Sequence, residues 1–342
     1  MDSLTQFVLG AAVGEAVAGK KVGNKAIIWG GVAGTIPDLD IFANFFMDIV
    51  AANAFHRTIT HSLLFSILLA PLLGWILTRI YRNKDATFSD WTWLFFLGFS
   101  THILLDCFTT WGTMVFWPFS DYRVAFKSIF VIDPLYTLPL LVTLVWVLFV
   151  PKLHKKRRKL ITIGLTLSSL YLLVTLLVKA HINQVFEASF EKQNLEILRY
   201  DTRPAPFNII LWTSTAEVQD GYYIGYYSLL DKNPFIDFQY FPKNRNLLSD
   251  FENDDKVQTL IGLSEGWYTV EPASPGYILN DLRFGQTAGW TNEKSPFSFS
   301  YHIYQENGDW VVEEIERDMD EAKKMVGSLF QRILGKREEV VR

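Results

Sequence analysis

The chain has 342 residues, enough for two domains, and 49% of them are hydrophobic. The net charge is −4 and the pI is about 5.9, so no overall basic field points to nucleic acid. Cys107 is the single cysteine, which excludes an intrachain disulfide and a zinc cluster built from thiolates.

The first 36 residues predict a helical hairpin. Residues 4–19 and 26–36 are apolar and rich in glycine and alanine, and each is shorter than the roughly 20 residues that cross a bilayer. Small residues let helices approach closely, so we expect a tightly packed, partly embedded hairpin within residues 4–36, with a single long kinked element as the alternative. Pro37 ends the second segment, because the residue before a proline avoids helical backbone angles.

Four longer apolar segments predict transmembrane helices at about 59–81, 91–110, 129–150 and 160–181. The links between them, 82–90 and 151–159, carry Arg82, Lys84 and the basic run from Lys155 to Lys159, so the positive-inside rule places both links in the cytoplasm. At 1.5 Å per residue, His61 is then about 27 Å from the inner end of its helix. We therefore expect His61 at the outer boundary of the membrane.

After residue 181 the pattern predicts strands, for example at 222–227 and 297–304, with turn signals at Asp220-Gly221 and Asn307-Gly308. Apolar residues at helical spacing from about Asp318 to Leu334 predict a final amphipathic helix. The expected fold is an α-helical polytopic membrane domain over 1–181, followed by a β-rich extracytoplasmic domain over 182–342.

Three polar segments are predicted to lie at one depth near the outer face of the membrane. Their candidate site residues are, in chain order, Asp38, Asp40, His56, Arg57, Thr60, His61, His102 and Asp106. His102 and Asp106 are spaced i, i+4, so both project from one helix face and can reach one ion. In isolation each group has a simpler explanation: His102 and Asp106 bond each other, the extended Pro-Asp-Leu-Asp segment caps a helix, and Thr60 is the N-cap of the 59–81 helix.

Together the polar segments supply six nitrogen and oxygen ligands without sulfur: Asp38, Asp40, His56, His61, His102 and Asp106. This set suits one or two divalent ions, with zinc expected and manganese or iron as alternatives. Such a site lowers the pKa of bound water and polarises a carbonyl or phosphoryl oxygen. Asp40 is a ligand or a general base, and Arg57 either clamps an anion or extends to lipid headgroups. Asp133 either orients a ligand histidine or caps a helix.

Several motifs resemble the YdjM-type inner-membrane family, described as membrane-bound metal-dependent hydrolases. They are Met1-Asp2-Ser3-Leu4-Thr5, Pro37-Asp38-Leu39-Asp40, His56 to Ser62, His102 to Asp106, Trp117-Pro118-Phe119-Ser120 and Ile132-Asp133-Pro134. The resemblance covers about residues 1–150 and implies a multi-pass protein of the bacterial inner membrane. Gln6 stands where members often have a histidine, so it is expected beside the ligands rather than among them.

The leading functional hypothesis is a metal-dependent hydrolase whose partner is a membrane lipid or a lipid-linked ester, amide or phosphoester. A second hypothesis is a non-enzymatic scaffold or sensor in which a metal or a His–Asp network fixes helix packing. An ion transporter is a third, but the inner halves of the predicted spans carry little besides hydroxyl groups. In the β-rich part, Arg283 and His302 are candidates for reaching the site, or are simply solvated.

Overall fold

A computed structural model describes residues 1–81, 85–251, 254–291, 295–316 and 319–337. The described residues form two compact units. The first comprises 1–43, 55–177 and 206–208, and the second comprises 44–54, 178–205 and 209–342. Arg82 and Lys84 of the predicted inner link, and Asp318 at the predicted start of the last helix, lie outside the described residues.

Helices build the N-terminal part of the chain. In chain order they are α1 (Ser3–Val22), α2 (Asn24–Thr35), a 3-10 helix (Pro37–Phe45), α3 (Ile49–Phe55), a 3-10 turn (Ile59–His61), α4 (Leu63–Tyr81), α5 (Phe88–Asp106), α6 (Pro134–Leu148) and α7 (Lys155–Lys192). Within the described residues, α4 and α7 are long and apolar enough to cross a membrane, and α2 with the bent 3-10 helix after it would make a third span.

The predicted hairpin is confirmed as α1 and α2, and glycine is the reason that they pack so closely. A Cβ on Gly10 would lie 2.3 Å from the backbone oxygen of Gly30, and a Cβ on Gly14 would lie 2.3 Å from that of Ala26. Only residues without a side chain allow this approach. A buried ion pair adds to the packing, because Arg157 at the start of α7 binds Glu15 of α1 through two hydrogen bonds of 2.7 and 2.6 Å.

The four-span prediction holds in part. The α6 helix has 15 residues, shorter than the segment 129–150 predicted for it. The α7 helix has 38 residues and continues past the predicted end at residue 181. Residues 182–192 contain neither glycine nor proline, so nothing in that sequence interrupts the helix.

Two four-stranded antiparallel sheets build the β-rich part, in the orders β1-β2-β3-β4 and β5-β6-β7-β8. The elements are β1 (Arg199–Pro204), β2 (Leu211–Glu217), β3 (Gly221–Ser228), β4 (Phe238–Pro242), a 3-10 helix (Arg245–Phe251), α8 (Asp255–Leu263), β5 (Tyr268–Pro272), β6 (Tyr277–Gln286), β7 (Phe297–Glu306), β8 (Asp309–Glu314) and α9 (Met319–Ile333). The predicted strands 222–227 and 297–304 are confirmed as β3 and β7, and the final helix as α9.

Particular residues explain the turn between β7 and β8, the core shared by the two sheets, and the attachment of helix α9. Asn307 and Gly308 have φ angles of 52° and 93°, the left-handed backbone that a tight two-residue hairpin requires. Tyr222 and Ile224 from one sheet share an apolar core with Leu282 and Phe297 from the other. In the same unit, Arg332 of α9 binds the carboxylate of Asp231 at 2.6 and 2.8 Å, and Arg337 binds it as well.

Candidate metal centre

Four side chains of the first unit, three of them buried, bring their donor atoms together. Asp38 comes from the 3-10 helix after α2, His61 from the short turn before α4, and His102 and Asp106 from adjacent turns of α5. The side chains of His61, His102 and Asp106 are fully buried, whereas that of Asp38 is 18% exposed. One ligand atom from each lies within 4.8 Å of all the others, so the group could hold a metal ion.

Five of the six distances between these donor atoms are close to those of a tetrahedral site, and the sixth, between the Asp38 and Asp106 oxygens, is within 4.8 Å. The two histidine Nε2 atoms lie 3.1 Å apart, and Asp38 Oδ1 lies 3.4 Å from each of them. Asp106 Oδ2 lies 3.3 Å from His61 Nε2 and 3.6 Å from His102 Nε2. Zinc bonds of 2.0–2.1 Å at tetrahedral angles separate neighbouring ligand atoms by about 3.3–3.4 Å. The donors are thus spaced as ligands of one ion.

The outer ring nitrogens of both histidines are occupied, which fixes the neutral tautomers. His102 Nδ1 lies 2.7 Å from the Gly34 carbonyl oxygen, so it carries the hydrogen and donates. His61 Nδ1 lies 3.0 Å from Thr60 Oγ1 and 3.3 Å from Asp40 Oδ2, so it too donates. In the neutral rings both Nε2 lone pairs then face each other. Bonding of the second nitrogen to a carbonyl or carboxylate is typical of metal-binding histidine.

Close helix packing places the carbonyl that orients His102. A Cβ on Gly98 of α5 would lie 2.7 Å from the Cβ of Ala33 on α2. Because Gly98 has no side chain, α2 approaches α5 closely enough for the Gly34 carbonyl to reach the His102 ring. A glycine on α5 therefore contributes to the site without touching it.

Asp106 is held through one oxygen, which leaves the other directed at the histidines. Gln6 Nε2 donates to Oδ1 at 2.9 Å, and the amino group of Met1 donates to the same oxygen. Arg57 Nε lies 3.1 Å from Oδ2, but outside hydrogen-bonding geometry. Among the described residues, Asp106 Oδ2 has no hydrogen-bond donor. A buried anionic oxygen in this position is well suited to bind a cation.

Asp40 and His56 lie behind the four-donor group rather than in it. Asp40 is buried, and its carboxylate accepts hydrogen bonds from Thr60 Oγ1 at 3.1 Å and from the Arg57 backbone at 2.9 Å. His56 Nδ1 lies 2.9 Å from Asp40 Oδ1, and the His56 side chain is 29% exposed. Asp40 therefore supports His61 on one side and His56 on the other.

The backbone at Arg57 is unusual, and its side chain is buried. Its φ angle is 61°, a left-handed conformation that is uncommon for a residue other than glycine. Arg57 Nη1 donates to Thr109 Oγ1 at 2.8 Å, and the side chain also lies against Asp106. The alternative in which Arg57 extends to lipid headgroups is not what the structure shows.

Two sequence predictions change on inspection of the fold, and one pair of alternatives is decided. The Pro-Asp-Leu-Asp segment is a 3-10 helix, not an extended chain. The N-cap contact of α4 comes from Ser62, whose Oγ accepts from the Phe65 backbone at 3.1 Å, whereas Thr60 binds Asp40. Of the two alternatives for Asp133, the structure shows the helix cap, since its side chain accepts from the first backbone N–H groups of α6.

The remaining candidates have other partners. Gln6 binds Asp106, beside the ligands as expected. In the β-rich unit Arg283 is buried and paired with Asp281, and His302 Nε2 lies 2.6 Å from the Pro275 carbonyl oxygen. Sequence reasoning missed Thr109 and Gly34. Thr109 lies three residues after Asp106, a spacing that could have indicated it, whereas a backbone carbonyl leaves no mark in a sequence.

The fold and the site together define a helical membrane protein with a buried His/Asp cluster that can bind a metal ion. The chain belongs to the YdjM inner membrane protein family, whose profile matches residues 1–182. This confirms the resemblance, and the matched region contains all four donors. No curated protein and no solved structure matches the chain.

Proposed function

We propose that this protein is a metal-dependent hydrolase that acts at the outer boundary of the inner membrane on a lipid, or on a lipid-linked ester, amide or phosphoester. The observation that carries the proposal is the pair of histidine Nε2 atoms 3.1 Å apart, each oriented by its other nitrogen. Without a shared cation or an added proton, two lone pairs at this distance repel each other. A divalent ion such as zinc, which histidine nitrogen and carboxylate oxygen both bind, removes that repulsion.

Asp38, His61, His102 and Asp106 would hold the ion. When bound, it would supply Lewis acidity that lowers the pKa of water and polarises a carbonyl or phosphoryl oxygen. Asp38 is the donor that solvent reaches, since the other three side chains are fully buried. A substrate would therefore approach on the Asp38 side.

The residues that contact the four donors would accept protons and stabilise charge. His56 is partly exposed and orients Nδ1 toward Asp40, which leaves its Nε2 free to accept a proton from water or a substrate. Arg57 places a buried positive charge beside Asp106 and would stabilise a developing anion or hold the carboxylate in place. Asp40 would act by orienting His56 and His61 rather than as a ligand.

The topology follows from the basic residues at the start of α7. If that end lies in the cytoplasm, the β-rich part that follows α7 is extracytoplasmic and lies on the same side as His61. We propose that the β-rich part recognises the substrate headgroup. The half-buried aromatic side chains of strands β3 and β7, such as Tyr223 and Tyr304, would be available for that role.

Metal analysis with a comparison of lipids tests the hydrolase proposal. Purified wild type is expected to carry about one divalent ion per chain. Membranes from cells with the wild type are expected to differ in one lipid class from membranes with the His61→Ala variant. His154→Ala, which changes an exposed histidine, is the matched control. Wild type without stoichiometric metal, or identical lipids in all three samples, would contradict the proposal.

A scaffold or sensor is the second candidate, and one observation favours it. The group offers four protein donors, the number in structural zinc sites, whereas catalytic sites keep one position open. In a scaffold without metal, a second proton on His61 would remove the repulsion between the two histidines, since His61 Nε2 lies 3.3 Å from Asp106 Oδ2. This candidate predicts that His61→Ala lowers the unfolding temperature in detergent and leaves every lipid class unchanged.

A further inference from the structure

An apolar groove runs along α4 beside the metal centre. It encloses about 260 Å³ and is lined by Ser62 and Trp117 at one end and by Phe65, Leu68, Leu69 and Leu72 along the helix. Leu68 and Leu72 are 64% and 51% exposed, so the groove is open on its outer side. Ser62 is the only hydroxyl in the lining, and it follows His61 directly in the chain.

The wall of the groove opposite α4 is held by backbone hydrogen bonds. The Leu63 N–H donates to the Val115 carbonyl at 3.0 Å, and the Met114 N–H donates to the Arg57 carbonyl at 3.1 Å. These two bonds fix the segment that carries Trp117 against the start of α4. One end of the groove is therefore formed by Ser62, the residue that follows the candidate ligand His61 in the chain.

The length and setting of the groove match one membrane leaflet. The α4 helix is a candidate span, and as a span it would have its exposed face in contact with lipid hydrocarbon. From Ser62 to Leu72 the chain rises about 15 Å at 1.5 Å per residue. Half of a hydrocarbon core of about 30 Å is also about 15 Å. A lipid tail in the same leaflet as the metal centre would thus fill the groove from end to end.

We propose that the groove holds one acyl chain of the lipid whose headgroup is presented to Asp38 and His61. This inference rests on the proposed function and names the part of the substrate that the enzyme recognises. An acyl chain that enters the groove moves from one hydrocarbon environment, the bilayer, into another. The hydrophobic effect therefore contributes nothing to the free energy of binding. The groove therefore acts by packing and sets the position of the lipid.

Photo-cross-linking tests the proposal without relying on activity. The full chain is placed in vesicles of phosphatidylethanolamine and phosphatidylglycerol that contain a phosphatidylglycerol with a diazirine midway along one chain, and adducts are mapped by mass spectrometry. Adducts at Leu68 and Leu72 are expected to exceed those at Leu170 and Leu173 by about threefold, the factor expected from a few added van der Waals contacts. The α7 leucines are similarly exposed, at 54% and 57%, and they lie on the other candidate span.

A variant whose groove is filled by a larger side chain provides the control. Leu68→Trp is expected to reduce adducts at Leu72 to the level of the α7 leucines, whereas Leu170→Trp leaves them unchanged. Equal adducts on both helices, or adducts at Leu72 that do not change in Leu68→Trp, would overturn the proposal.

Metal content and lipid turnover measured on the same samples separate this inference from the proposed function. Selective adducts at Leu72 from a protein without metal or turnover would retain the acyl-chain groove and reject the hydrolase. Metal and turnover together with uniform adducts would retain the hydrolase and reject the groove.

Discussion

Replacing Asp40 and Asp106 separately by asparagine distinguishes a ligand from a residue that orients one. Asp40→Asn keeps the size of the side chain but turns one acceptor oxygen into a donor. In the wild type, one Asp40 oxygen lies 2.9 Å from His56 Nδ1, and the other accepts a hydrogen bond from the Arg57 backbone at 2.9 Å. The substitution removes one of these two contacts. Loss of such outer contacts lowers metal affinity by about 10–100-fold. Asp106→Asn removes the anionic donor itself, so it should lower the metal affinity by more than about 100-fold.

Competition between the purified protein and a chromophoric zinc chelator in detergent measures these affinities. Asp121→Asn makes the same change at an exposed position and should bind zinc like wild type. Elution on size exclusion shows that each variant is folded. If Asp106→Asn also binds zinc like wild type, the cluster is not a zinc site. If Asp40→Asn loses as much affinity as Asp106→Asn, then Asp40 is itself a ligand and the assignment above is wrong.

Three further predictions concern stability, measured by unfolding of the full chain in detergent. Arg157→Met leaves the Glu15 carboxylate buried and unpaired, which should cost about 3–5 kcal/mol, and adding Glu15→Leu should restore most of the loss. Gly14→Ala places a Cβ against the backbone of α2 and should cost about 1–3 kcal/mol, whereas Gly262→Ala, with open space around it, should cost nothing. Although burial raises the pKa of Asp231, hydrogen bonds from its arginine partners lower it overall, so this pair stabilises the fold above the ordinary aspartate pKa of about 3.9. The contribution should disappear as the pH falls, so the protein with these arginines should be more stable than a variant without them at neutral pH but not at acid pH. Equal stability of the two proteins at neutral pH would contradict the prediction.

Local patterns in the sequence account for the elements and for part of the site. The i, i+4 spacing of His102 and Asp106 places both on one face of a helix, and in α5 both contribute donor atoms. The glycines of residues 4–36 predict close helix packing, and the structure shows backbone contacts at Gly10 and Gly14. These predictions succeed because helical periodicity and side-chain size act over a few residues.

The different roles of Asp38, a candidate ligand, and Asp40, which orients the histidines, could not be predicted in the same way. From the sequence, both carboxylates were candidate ligands of one or two ions, with a helix cap as the alternative. In a 3-10 helix, with three residues per turn, positions two apart point in different directions. Asp38 therefore faces His102 and Asp40 faces His56. This choice depends on how Pro37 and its neighbours pack, which a local pattern does not contain.

Access from solvent is what separates the catalytic interpretation from the structural one. A shell of four protein donors is closed, so a hydrolase must release one of them to admit a substrate. Asp38 is the only one of the four donors with an exposed side chain, and it lies on a 3-10 helix rather than on a regular helix. His56, the other partly exposed group of the site, lies in the same bonded network through Asp40 and His61. Exchange of Asp38 would thus open the ion toward solvent, as hydrolysis requires.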